Sequence, residues 1–143
     1  MKIVISSLLI LHGLIVAAQG SGSFGATIPN EVPNPGFVSW WPMNMGRSWL
    51  FSALGLERSL VACRISGALW LIGGIALVAA GLGLLGWIVP TTWWRDLAIA
   101  GGGISLFMLA LYFHPLTIIG TASSLAVLVA LLWAKLPPTI LAR

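Results

Sequence analysis

Residues 65–90 read ISGALWLIGGIALVAAGLGLLGWIVP, twenty-five apolar or small residues without a charge, closed by Pro90. A helix that crosses a bilayer needs about 20 mainly apolar residues, and this run supplies them. Proline ends it because it lacks a backbone donor and disfavours helix in the residue before it. Within the run Gly67, Gly74 and Gly81 recur at intervals of seven, and Gly73, Ala76, Ala80 and Gly83 mark a second small face. Lipid gives helices no hydrophobic reason to associate, so close backbone approach through small residues has to hold them together. The stretch therefore predicts an all-α integral membrane bundle and shows which faces of this helix meet neighbours.

Three other apolar runs extend the pattern, at about 3–19, 95–113 and 116–136. With the central run at 65–89, the chain reads as a single membrane domain, a four-helix bundle. The third run ends ahead of His114-Pro115 and the fourth ahead of Pro137-Pro138. The third offers Ala98, Gly102 and Ser105 as packing positions, and the fourth Thr117, Gly120, Thr121 and Ser124. The first run begins with Met1-Lys2 and closes with VAAQG at 16–20. That pattern fits a secretory leader or a retained signal anchor, and the anchor reading keeps His12 in the protein.

Composition agrees with the runs. Of 143 residues, 59% are hydrophobic and 7% charged, where a soluble domain carries roughly a quarter charged residues. Seven Lys and Arg face three acids, for a pI near 10.3. The cations are scattered between apolar runs and form no basic patch, so nucleic acid is not an expected partner. They read instead as topology signals. Four spans put Lys2, Arg95, Lys135 and Arg143 on one side and Arg47, Arg58 and Arg64 on the other, which favours cytoplasmic termini. Tryptophans prefer membrane interfaces. Trp93, Trp94 and Trp133 fall at the cytoplasmic edge, with Trp87, and Trp40, Trp41 and Trp49 fall toward the outer one.

The loop at 20–64 divides in two. Its first part is rich in Gly, Pro, Ser and Asn and reads as irregular chain. Its second part, RSWLFSALGLERSL, carries Ser48, Ser52, Gly55 and Ser59 at helical spacing, which predicts a short interfacial helix.

Chemistry is sparse. The lone cysteine, Cys63, excludes an intrachain disulfide and a cysteine metal cluster. No apolar run carries a carboxylate in its interior, which argues against a proton relay or ion path. Asp96 suits the start of the third helix as a cap. AGGGIS at 100–105 lacks the Lys-Ser/Thr ending of a phosphate loop. That leaves His12, near the middle of the first run, and His114, at the end of the third, as candidate ligands for a cofactor. A titratable group inside a membrane is a functional candidate, yet a neutral histidine is satisfied by one hydrogen bond to a facing serine or carbonyl. No particular cofactor follows from these residues, and half a membrane separates the two histidines, so they share no metal.

LLILHGL, GRSWLF and WWRDLAIAGGGISLFMLALYFHP resemble a loosely defined group of small bacterial four-span proteins. In that group the Leu-His-Gly-Leu helix often carries a second histidine four residues on, where this chain has Val16. The resemblance implies the four-span architecture and no activity. The leading expectation is an accessory or structural subunit that contacts lipid and other integral membrane subunits. The alternative is a binder of a quinone, lipid or pigment near His12 and the Trp40, Trp41, Trp49 region.

Overall fold

The computed structural model describes residues 2–21, 48–56, 59–113 and 115–133. Trp40, Trp41 and His114 lie outside them, as does most of the loop. The described chain is helical: α1 Lys2–Ser21, α2 Trp49–Ala53, α3 Leu60–Leu85, α4 Trp94–Leu111 and α5 Ile118–Leu128. A 3-10 turn, Pro115–Thr117, leads into α5, and a π turn, Val129–Trp133, continues it. Three helices, α1, α3 and α4, are long and apolar enough to cross a membrane. The fourth apolar segment, Ile118–Trp133, is shorter.

Helix ends differ from the proline-based reading for local reasons. α3 starts at Leu60 rather than 65 because Ser59 caps it, its side chain accepting from the Ala62 backbone N–H. Such a cap satisfies one of the donors that a helix start leaves open. It ends at Leu85, four residues before the expected 89, because Gly86 takes the left-handed conformation at φ 76° that closes many helices. Ile88, also at positive φ, then turns the chain toward Pro90, with the Val89 N–H donating to the Trp87 carbonyl. Asp96 occupies the first turn of α4, where its charge suits the dipole, but the cap position is Trp93, which makes no side-chain cap bond.

The expected helix through Ser48, Ser52, Gly55 and Ser59 is shorter than its spacing suggested. Gly55 adopts φ 65° and breaks it, so the four small residues do not share one helix face. What remains is a single turn with a packing task. Ser48, fully buried, donates from Oγ to the Leu111 carbonyl at 2.9 Å, and Trp49 donates from Nε1 to the Ala110 carbonyl at 2.7 Å. The last carbonyls of a helix lack intrahelical donors, and the Ser48-Trp49 pair supplies two of them to α4. At the opposite end of the bundle Arg95 donates to the Leu131 carbonyl at 2.7 Å, tying the start of α4 to the π turn.

The helices pack in the order α1, α3, α4, α5. In the first pair two heptads face each other. A Cβ on Gly20 would lie 2.4 Å from the Gly67 carbonyl, one on Gly13 2.6 Å from that of Gly74, and one on Gly81 2.8 Å from that of Ser6. Residue number falls by seven on α1 as it rises by seven on α3, so the pair is antiparallel and in register. A repeat of seven on both helices keeps one seam aligned along their whole contact. The second seam is built the same way: a Cβ on Gly101 would meet the Gly73 carbonyl and the Leu77 amide, each at 2.9 Å. Ser105 belongs to it, fully buried beside Gly73 with no hydrogen-bond partner for its Oγ among the described residues. Smallness, not hydrogen bonding, explains that serine. Gly102 turns toward α5, where Leu128 stands at ordinary contact distance.

Candidate functional site

The face of α1 beside the glycine seam carries Ile5, Leu9, His12, Val16 and Gln19. These positions step by three or four residues and therefore line one side of the helix. Opposite stands α5 with Thr117, Gly120, Ser123 and Val127. Where α1 meets α3 through glycines, α1 and α5 face each other with long and branched side chains on α1 and mostly small ones on α5. They stay apart, leaving a cavity of about 620 Å³, within the roughly 300–1,000 Å³ of small-molecule sites.

The floor of this cavity is buried and its rims are not. Trp70 of α3 and Leu109 of α4 close it from behind, with Leu9 and Val16, all buried. Trp70 is fixed there by a tilted contact with Tyr112 at 6.2 Å, and Tyr112 by an edge contact with Phe51 of α2 at 6.1 Å. The rims are Leu8, Leu11 and Ile15 on α1 and Ile119 on α5, which expose about half to three-quarters of their surface. An apolar cavity with exposed apolar rims opens sideways, toward lipid.

His12 is the cavity's polar centre. Its Nε2 and the Ser124 Oγ share a hydrogen bond of 2.9 Å, with serine donating when Nδ1 carries the ring proton. Ser124 is fully buried, so the bond pins the imidazole against the floor while His12 still lines the space. Gly120 lies beside the ring: a Cβ there would stand at ordinary contact distance, 3.9 Å from His12 Cε1 and 3.6 Å from Leu109. Gln19, Thr117 and Ser123 add polar groups, and none of the described lining side chains is charged. Val16, one turn beyond His12, gives the wall a purely apolar contact.

The sequence-derived positions thus separate. Gly67, Gly74 and Gly81 serve the α1 seam, and Ser105 serves the α4 seam. Gly120 and Ser124 instead belong to the surroundings of His12. Among the tryptophans Trp49, Trp93 and Trp133 are exposed. Trp94 is not an exposed belt residue: it is 7% exposed, packed beside Gly83 at the foot of α3. Trp70 is fully buried.

Ser6, Gly13 and Gly20 escape a reading of α1 alone, because Gly20 resembles part of a cleavage site. Their spacing of seven, the same as on α3, is the signal that pairs them. Among the described residues no group of three or more His, Cys, Asp or Glu could hold a metal. Cys63 is buried in the core. In comparisons with protein-family models, curated proteins and solved structures, the chain matches none.

Proposed function

We propose that this chain is a four-span protein of a bacterial inner membrane, with both termini cytoplasmic, that binds a membrane-soluble ligand such as a quinone, lipid or pigment between α1 and α5. The observation that carries the reading is the cavity, with apolar walls, lipid-facing rims and one imidazole held by Ser124. A ligand delivered from lipid enters sideways and gains apolar burial along the walls, with hydrogen bonding confined to a few polar groups. That is the usual economy of a small-molecule site. The fourth span is Ile118–Trp133 extended by the 3-10 turn before it. The exposed end of α2, with Trp49 and Leu54, lies at the outer interface, where amphipathic indoles collect.

The accessory-subunit reading drew on the number of small-residue faces. Those faces meet helices of the same chain: Gly67, Gly74 and Gly81 face α1, and Gly73 faces α4. What remains for a partner is the outer surface of the bundle, including Ile65, Ile72 and Ile75 of α3 and Ile118 and Leu125 of α5, all exposed, and lipid covers such a surface equally well.

The test is purification in mild detergent followed by native mass spectrometry and an absorption spectrum of the same peak. A bound small molecule in the wild type that is lost from His12→Leu, with the helical spectrum unchanged, supports the reading. A ligand-free wild type eluting with other polypeptides would overturn it in favour of a subunit of a larger complex.

A further inference from the structure

Polar groups are not spread evenly along the cavity. α1 contributes lining residues from Ile5 to Gln19, a rise of about 21 Å at ~1.5 Å per residue. Gln19 lies at one end, beside Thr117 at the start of the antiparallel α5. His12 and Ser123 follow at mid-depth. Beyond them Ile5, Leu8, Leu9, Ala126 and Val127 offer nothing polar. The floor also includes the Trp70 indole, fully buried and with no hydrogen-bond partner for its N–H among the described residues. One end of the trough is thus able to bond a headgroup, and the other only to bury hydrocarbon.

From this gradient, and resting on the ligand-binding reading above, we infer that the cavity takes an uncharged single-chain amphiphile lengthwise. Its hydrogen-bonding headgroup sits between Gln19 and His12 and its chain runs toward Ile5 and Val127. Neutrality follows from the lining, which among the described residues holds no Lys, Arg, Asp or Glu to match a charged head, and an unpaired charge in such a site is costly. A single chain follows from the shape, because the trough is one groove between two helices and its long dimension runs along their axes. A monoacyl lipid and a prenylated quinone share this chemistry.

The experiment uses the full chain in nanodiscs and three probes: monoolein, decylubiquinone and oleate at a pH where it is ionised. Binding is read by native mass spectrometry, and by the imidazole nitrogen resonances of His12 with His114→Gln as background. Binding of monoolein or decylubiquinone at least tenfold tighter than oleate, with a shift of the His12 signals, is expected; which of the two binds tighter identifies the headgroup source. Ala126→Phe fills the apolar end from its exposed rim without entering the core. It should weaken monoolein at least tenfold and spare 1-butanoylglycerol, whose four-carbon chain stops short. Oleate binding as well as monoolein, or Ala126→Phe weakening both chain lengths alike, overturns this inference and leaves the ligand-binding reading standing. Failure of all three probes to bind the wild type overturns both.

Discussion

One helix, α1, meets the rest of the bundle through two faces that could hardly differ more. On the face of Ser6, Gly13 and Gly20 the neighbouring backbone is so near that a single added carbon would stand about 2.5 Å from its carbonyls. On the face of His12 and Val16 the next helix is far enough away to leave a cavity of about 620 Å³. Both faces are apolar by composition. The difference lies in side-chain size at matched positions, because in lipid the gain on association comes from packing contacts rather than from leaving water. Where glycine faces glycine, backbones close and dispersion contacts multiply. Where isoleucine, valine and histidine of α1 stand in place of glycine, the helices are held apart and the space is left for something else.

The largest effect comes from propping open the closed face. In Gly13→Leu the new side chain meets the Gly74 carbonyl and the Val78 amide at 2.6 and 2.8 Å, and backbone cannot rotate away as a side chain can. Overpacking of this kind costs about 3 kcal/mol or more. The expected result is a large drop in the denaturant midpoint in detergent, followed by helical circular dichroism, and Gly74→Leu should behave alike. Gly103 provides the control, since a Cβ there meets nothing within 4 Å. Gly103→Ala should leave the midpoint unchanged or raise it by up to ~1 kcal/mol, as replacing glycine inside a helix does. Equal midpoints for Gly13→Leu and Gly103→Ala would remove the seam from the account.

A smaller loss is expected at the end of the molecule where α2 closes α4. Ser48→Ala takes away the buried donor to the Leu111 carbonyl, and Trp49→Phe takes away the donor to that of Ala110. A buried group left without its partner costs ~1–3 kcal/mol. Ser48 is fully buried while Trp49 is 59% exposed. Ser48→Ala should therefore lower the midpoint clearly and Trp49→Phe less. The reverse order would mean that the indole acts by packing and not as a donor.

The two faces of α1 were also unequally legible in the sequence. Apolar length located the helices, and intervals of seven singled out Gly67, Gly74 and Gly81, because close packing in lipid leaves a compositional trace. The matching heptad on α1 was masked by the resemblance of its end to a cleavage site. Ser48 and Trp49 could not be assigned a capping task from their own neighbourhood, since the carbonyls they serve lie about sixty residues further along the chain. Trp94 is buried rather than exposed, with its Cβ packed beside Gly83, a fact of pairing rather than of residue type. The cavity left the least trace. It consists of what two helices fail to fill, and only His12, isolated in an apolar run, marked its position.

The smallest effect on stability should fall at that histidine, and there the comparison is sharpest. Hydrogen bonds between helices in a membrane average ~0.6 kcal/mol, because the separated helices find other partners. Ser124→Ala and His12→Leu should each move the midpoint by about that much, and the double substitution by little more, since both remove the same bond. Ligand retention should respond differently. His12→Leu removes the ring from the cavity wall and should reduce bound ligand at least tenfold. Ser124→Ala leaves the ring in place but frees it to turn, and should reduce retention by a smaller factor. Native mass spectrometry of the three variants beside the wild type measures retention, and the denaturant midpoint of the same preparations measures stability. A His12→Leu protein that loses several kcal/mol and keeps its ligand would make the bond a structural tie like the glycine seam, and the two faces of α1 would then differ in spacing but not in purpose.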